Sequence, residues 1–213
     1  MLEIFDVNYS LLANDVSEEL FTLRKETFKD RLDWAVNCNN GMEFDDYDNN
    51  NTNYLLGVNN GSVICSVRFI ETKYPNMITG TFFSYFDKID IPVGNYLESS
   101  RFFVDKKRVK SMFDSRFPIS SILFLAMINY SINAGYEGIF TIVSHPMLTI
   151  LKRSGWGISV VEQGLSEKEK PIYLLFLPTD SQNQAELINR IKQHESLAEN
   201  TLTHWPLSLA FTE

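Results

Sequence analysis

The sequence predicts an α/β fold built on a mixed sheet. Three observations carry this: a hairpin signal at Asn59-Asn60-Gly61, a strongly apolar helical pattern over residues 118–134 that stops at Gly135, and β-rich runs on both sides of that helix. In order, residues 2–7 read as a short strand and 16–36 as a helix. The 3.6-residue period places Arg24, Phe28 and Arg31 on one face of that helix, with Trp34 at its edge. An Asn-rich stretch then leads to the acidic run Glu43-Phe44-Asp45-Asp46-Tyr47-Asp48, where extended alternation would turn Glu43, Asp45 and Tyr47 to one side. Strands are expected at 54–58 and 62–71, because Asn-Gly tolerates the positive φ of a tight hairpin. In the second of them Arg68 shares a face with Ile64, Ser66 and Ile70. A charge buried there needs a partner or an anionic ligand, and a surface arginine is the plain alternative.

Residues 96–105 form the next strand. Its Glu98 is either a solvent-facing alternate or a buried acid with work to do, and the residues alone leave both readings open. The helix over 118–134 is core, and 138–144 is a strand. Ser144 stands where it can cap a short helix through Leu151, with Pro146 in the first turn and Gly155 closing the segment. Residues 156–162 and 172–177 complete the strands, and 185–194 form a final helix; the tail through Trp205 carries no clear pattern. There are no internal repeats.

With 213 residues the chain suits one domain, and 16 Phe supply an ample core. No apolar run approaches the roughly 20 residues of a membrane span, and the start lacks a basic region followed by an apolar one, so a cytoplasmic protein without a membrane partner is expected. Cys38 and Cys65 match no zinc spacing, and His145, His194 and His204 are too scattered for a ligand set, so no metal is expected. Nucleophile-elbow, phosphate-loop and dinucleotide motifs are missing, and Gly155-Trp156-Gly157 is more simply a helix-to-strand turn. The net charge of −8 argues against nucleic acid as a partner. It is unevenly placed: residues 1–60 hold twelve acidic and four basic side chains. A local basic run, Lys106, Lys107, Arg108, Lys110 and Arg116, and the pair Lys152-Arg153 read by default as solvated charge.

The ordered set Leu23, Arg24, Phe28, Arg31, Trp34, Val36, Glu43, Asp45, Tyr47 and Asp48 resembles the signature of the LuxI-type N-acyl-homoserine lactone synthases, of the enterobacterial 3-oxoacyl type. The likeness continues through Arg68, Leu97-Glu98-Ser99-Ser100-Arg101-Phe102, Thr141-Ile142-Val143-Ser144 and Leu151-Lys152-Arg153-Ser154-Gly155-Trp156-Gly157, thinning after about residue 182. It implies the three-layer fold of GCN5-related acyltransferases, with a central mixed, mostly antiparallel sheet. It also implies one autoinducer-synthase domain over 1–213, in which 1–50 face S-adenosylmethionine, 51–180 form the acyltransferase-like core and 181–213 are a C-terminal helix and tail.

The resemblance implies transfer of an acyl chain from acyl carrier protein to the amine of S-adenosylmethionine, then lactonisation with release of methylthioadenosine. S-adenosylmethionine is then a substrate, and no cofactor is needed. Glu98, Asp45 and Arg101 are the implied catalytic residues. Arg24, Phe28, Trp34, Asp45, Asp48, Arg68 and Phe102 are implied around S-adenosylmethionine. Because residues three apart on a regular strand face opposite ways, Glu98 and Arg101 reach one site only through a bulge or from different sides of the ligand, and a bulge is expected. The implied acyl pocket is Phe69, Ser99, Met127, Thr141, Val143, Met147 and Leu177. In the family that the chain resembles, a threonine at the place of Thr141 goes with 3-oxo products, so 3-oxohexanoyl or 3-oxooctanoyl donors are expected, with length set by bulky side chains closing the tunnel. Lys106, Lys107, Arg108, Lys110, Lys152 and Arg153 are implied to dock the carrier, and the lack of a glycine cradle for coenzyme A phosphates favours that donor. A monomer is expected. The rival readings are an acyl-CoA-dependent N-acyltransferase of the same fold acting on another amine, and a noncatalytic protein that binds S-adenosylmethionine or a carrier.

Overall fold

The computed structural model describes residues 1–114, 116–194, 197 and 199–210, with the backbone alone at 199 and 200. The chain opens with β1 (Leu2–Asn8) and α1 (Asn14–Arg24). The helix does not run regularly to Val36 as its sequence suggests. It widens into π-type turns over Lys25–Arg31 and stops where Asp33 takes φ of 51°. Aspartate tolerates that left-handed conformation better than most residues. The reversal folds Trp34 back, so that its amide donates to the Phe28 carbonyl at 2.9 Å. Arg31, expected on the Arg24 and Phe28 face, is exposed because the wider turns break the 3.6-residue register.

A small ladder, β2 (Cys38–Asn39) with β3 (Met42–Glu43), precedes β4 (Thr52–Asn59) and β5 (Ser62–Glu71). The last two form the hairpin, with Asn60 at φ 49° and Gly61 at φ 79°. After β6 (Tyr96–Val104) comes α2 (Lys106–Met112), a helix the sequence pattern does not announce. It is capped by Asp105, whose carboxylate accepts from the amides of Lys107 and Arg108. Then follow α3 (Ile119–Ala134), β7 (Gly138–Ser144), α4 (His145–Ser154), β8 (Ser159–Leu165), β9 (Pro171–Pro178), α5 (Ser181–Lys192), α6 (Glu199–Thr203) and β10 (Leu207–Leu209). Ser144 occupies the cap position of α4, but its hydroxyl makes no capping bond. The strand expected at 156–162 begins later, at Ser159. The last long helix begins earlier than residue 185, because Asp180 caps it through the Asn183 amide.

Eight strands join in one sheet in the order β10-β1-β4-β5-β6-β7-β9-β8, so the patternless tail supplies an edge strand. Every pairing is antiparallel except β6 with β7. The parallel pair is in register only from Tyr96↔Gly138 to Ser99↔Thr141, although β6 continues to Val104 and β7 to Ser144. Beyond Ser99 the two strands part.

Paired residues share a face of the sheet. One face carries Phe69, Leu97, Ile139, Val143, Leu175 and Leu177 against α3, α4 and α5, forming the main core. The other carries Tyr54, Leu56 and Phe103 under α1, with Phe140, Ile172 and Leu174 under the segment 72–95. Helix α3 is apolar on nearly every side and is buried. Among the described residues no helix is long and apolar enough to cross a membrane.

Candidate active site

The α1 face of the sheet carries a closed network of three arginines and three carboxylates. Arg24, 1% exposed, donates through Nε to Glu43 at 2.6 Å and through both terminal nitrogens to Asp48 at 2.7 and 3.0 Å. Arg68, fully buried on β5, reaches Asp45 at 2.6 and 3.2 Å and Asp48 at 3.0 Å. Arg101 reaches Glu43 at 2.9 Å and Asp45 at 2.7 Å. Tyr54 completes the set, its hydroxyl donating to Asp48 at 2.6 Å.

The acidic segment is a tight turn rather than an extended run, since the Asp48 amide donates to the Asp45 carbonyl at 3.0 Å. The turn brings Glu43, Asp45 and Asp48 to one place, while the Tyr47 hydroxyl instead accepts from the Thr81 amide at 3.1 Å. Burial alone would raise the Asp48 carboxyl, but Arg24 and Arg68 together more than reverse this and hold it well below the usual carboxylate range. Burial likewise opposes the charge on Arg24 and Arg68, and their carboxylate partners outweigh it. Every buried side-chain N or O atom among the described residues has a partner, which buried ions require.

Glu98 joins this network at one remove. Arg68 Nε donates to the Ser100 hydroxyl at 3.1 Å, and that hydroxyl donates to Glu98 Oε2 at 3.3 Å. Glu98 is 1% exposed, and burial pushes its carboxyl up to about 7, against the opposing pull of Arg68 and the Ser100 hydrogen bond. The expected bulge is present. Between Ser66↔Phe103 and Arg68↔Ser100 the ladder takes one more residue on β6 than on β5, and Arg101 has φ of 55°. The kink re-aims Arg101 onto the face that Glu98 occupies.

The aromatic part of the site begins with Phe28, buried beneath Trp34 at a ring separation of 5.1 Å and an interplanar angle of 24°. The Arg101 guanidinium lies 5.6 Å from the Phe28 centroid. Trp34 is 41% exposed and offers an aromatic surface beside the guanidinium and carboxylate groups. The β8–β9 turn meets the loop ahead of Trp34. Lys168 Nζ donates to the Asp33 carbonyl at 3.0 Å and lies 3.3 Å from the Asp33 carboxylate, and Glu167 accepts from the Tyr85 hydroxyl at 2.6 Å.

Phe102 departs from expectation. Its side chain packs against the α3 core and stacks on Phe124 at 5.0 Å, on the opposite face from Trp34 and Glu98. At the bulge Arg101 and Phe103 take the α1 face, with the Phe103 ring edge-on to Phe28, which leaves Phe102 pointing the other way. The implied acyl residues do converge: Phe69, Ser99 and Thr141 pair across three strands, and Val143, Leu177, Met127 and Met147 belong to the same apolar cluster. The Thr141 hydroxyl already donates to the Ser99 carbonyl at 2.8 Å.

Of the basic residues, Arg108 is spent on structure, holding Glu19 of α1 and the Val63 carbonyl. Lys106, Lys107 and Lys110 on α2 and Lys152-Arg153 on α4 are exposed. Both helices follow the C-terminal ends of the parallel strands, at the edge where those strands part. Glu43 stood in the motif without a role, and Tyr54, Ser100 and the Lys168–Asp33 contact were not foreseen.

The autoinducer synthase family model matches residues 8–187. An acyl-homoserine-lactone synthase of Pectobacterium carotovorum subsp. carotovorum is 69% identical over 97% of this chain and 96% of its own length. One from Dickeya chrysanthemi is 65% identical over 97% and 98%. Among solved structures the fold is shared with the AHL synthase LasI, at a TM-score of 0.76 and 22% identity over 88% of this chain and 93% of that one. It is shared also with BjaI, a CoA-dependent acyl-homoserine lactone synthase with SAM and isopentyl-CoA, at 0.75 and 22% over 90% of each. From residue 8 to residue 187, and through relatives aligned over almost its whole length, the chain belongs to the autoinducer synthase family.

Proposed function

We propose that this chain, by family an acyl-homoserine-lactone synthase, acylates the amine of S-adenosylmethionine from a carrier-protein thioester at Glu98 and then closes the lactone. The observation that carries the reading is the buried Glu98 carboxyl, raised to about 7, on β6 beside the point where β6 leaves β7. A base near neutrality can take the proton of an ammonium group without being locked in either state. The free amine attacks the thioester carbonyl, the C–S bond breaks, and the pantetheine sulfur leaves as a thiol with a proton. The substrate's own carboxylate oxygen then attacks the carbon bearing the sulfonium, and methylthioadenosine leaves as a neutral thioether. Proximity supplies most of that second step.

The roles divide by exposure. Trp34 presents a ring to the sulfonium or adenine, and Asp45 and Arg101 stand at the site edge for the amine and carboxylate. Arg24, Asp48 and Arg68 act from behind, their polar groups taken up in fixing the turn that carries Asp45. Residues 1–50, joined by Arg68 of β5 and Arg101 of β6, thus form the S-adenosylmethionine side, and the rest of 51–180 the acyl-transfer core. The separation of β6 from β7 lets a thioester arm pass from one face to the other, its chain running beside Thr141. Free lysines on α2 and α4 at that edge favour an acidic carrier as donor.

Mass spectrometry of products from the purified protein with S-adenosylmethionine and, separately, acyl-carrier and acyl-CoA donors tests the reading. Lactone with methylthioadenosine from carrier donors is the expected result, preferring 3-oxohexanoyl or 3-oxooctanoyl chains. Turnover confined to acyl-CoA would replace the donor, and an acylated product without methylthioadenosine would replace the reaction.

A further inference from the structure

On the α3 face, the residues that the acyl-transfer reading sets along the acyl chain fall in order along β7. Val143 stands where β6 and β7 have parted, Thr141 lies one pleat further in, and Ile139 with its partner Leu177 one pleat beyond that. From Val143 to Ile139 the strand covers roughly 13 Å. Two side chains of this cluster, Met127 and Met147, are flexible thioethers that can repack around a ligand.

Trp156 cannot do so. It follows Gly155, whose φ of 85° turns the chain out of α4, and it is 2% exposed within the main core. Its indole N–H donates at 2.8 Å to the carbonyl of Pro178, the residue after Leu177 and the partner of Gly138 at the deep end of β7. Its ring leans on Phe124 at 5.9 Å and 52°, and Phe124 stacks on Phe102 at the bulge. Three rings therefore run from the β6 bulge toward the Gly138–Pro178 end of β7 and β9, and the last is pinned by a hydrogen bond.

We propose that Trp156 is the end wall of the acyl chamber and the residue that sets the longest chain it accepts. The proposal rests on the acyl-transfer reading above, and it assigns Trp156 a specificity role rather than a catalytic one. A chain one methylene too long must displace a side chain held by both its N–H and its ring packing. Chamber fit discriminates about 10–200-fold per methylene.

The test is competition among donors of the class the wild type accepts, charged with 3-oxohexanoyl, 3-oxooctanoyl, 3-oxodecanoyl and 3-oxododecanoyl groups. Wild type, Trp156→Phe and Trp156→Ala are compared by the mass spectrum of their lactones, with circular dichroism reporting folding. Trp156→Phe, with a smaller ring and no N–H to pin it, should shift products toward the next longer chain. Trp156→Ala should shift them further, raising the ratio of longest to shortest product at least about tenfold. A folded Trp156→Phe with the wild-type length distribution overturns the proposal, whatever its speed or stability, and decides the matter even where Trp156→Ala does not fold. A wild type yielding no lactone from any donor instead defeats the acyl-transfer reading itself.

Discussion

The two faces of the sheet at β6 are fixed by different physics. On the α1 face, Arg24, Arg68 and Arg101 are tied to Glu43, Asp45 and Asp48 by directional bonds of 2.6 to 3.3 Å, so the removal of one group strands another. On the α3 face, Leu97, Ile139, Val143 and Leu177 are held by packing alone, which gives way gradually and tolerates volume-conserving change. The first face can therefore hold a small charged substrate in one pose, and the second can adapt to a family of chains. Glu98 and Thr141 mark the difference. They belong to adjacent positions across the β6–β7 pair and face opposite ways, and in the proposed reaction the parting of those strands joins them.

Replacement of Glu98 should produce the largest effect and should separate the faces cleanly. Glu98→Gln keeps the shape but removes the proposed base, and turnover should fall about 10²–10⁴-fold at neutral pH. In the wild type, kcat should rise with pH through about 7 as the carboxylate forms. Stability should move the opposite way. Because folding raises this carboxyl, its stabilising contribution is complete below the ordinary carboxylate range and is lost as pH rises toward 7. Glu98→Gln should then be more stable than wild type above neutrality, by on the order of 3 kcal/mol, and should lose that advantage in acid. Thermal melts across pH check this, and an unchanged Tm difference across the range would break the link between burial and basicity.

Breaking the network behind Asp45 should come next, and here stability carries the signal. Arg24→Met leaves Glu43 and Asp48 short of a cation in a buried place, at a cost of about 3–5 kcal/mol. A comparable trim on the other face, Leu177→Val, should cost only about 0.5–1.5 kcal/mol, in the range of a single buried methylene. Denaturant midpoints compare the two directly. Equal losses would mean that the α1 face is no more tightly specified than the α3 face.

How much of this was legible in the sequence differs between the same two regions. The apolar face could be read from alternation and from the run over residues 118–134, because packing leaves a periodic trace. The charged face showed its members through motif spacing but not its wiring. Tyr54 illustrates why: an unbroken hairpin from Asn60-Gly61 pairs it with Val67, whereas the register shift between Gly57 and Val58 puts it opposite Arg68. No local pattern announces a one-residue slip of that kind. The widened turns after Arg24 hid Arg31 and Trp34 in the same way, since a helical period assumes the hydrogen-bond ladder it predicts. The side of Phe102 was unreadable for the converse reason, because the bulge was foreseen but not which residue it would turn.

Thr141 lies where the two regions meet and should give a moderate effect. Its hydroxyl proton is already committed to the Ser99 carbonyl, so a 3-oxo group competes for a bond that the protein makes by itself. The gain for a 3-oxo donor is then only the difference between two hydrogen bonds. Thr141→Val, which keeps the shape, should lower the preference for 3-oxo over unsubstituted chains by about 2–10-fold with little change in total lactone. A preference that survives intact would place 3-oxo recognition elsewhere in the chamber.

The smallest expected effect concerns the contact between the β8–β9 turn and the loop ahead of Trp34. Lys168 holds the carbonyl and carboxylate of Asp33, the residue whose left-handed backbone reverses the chain ahead of Trp34. Both side chains are well exposed, so solvent screens the pair and its energy is modest. Yet it ties the β8–β9 turn to the loop that carries the Trp34 ring, and a small shift there acts on substrate retention rather than on chemistry. Lys168→Ala should raise KM for S-adenosylmethionine about 2–5-fold, leave single-turnover acylation nearly unchanged, and lose its effect in high salt, where the wild-type contact is screened as well. Loss of single-turnover rate in this variant would mean that the turn positions the reacting groups, and that the charged face depends on β8 and β9 as much as on the segment before β4.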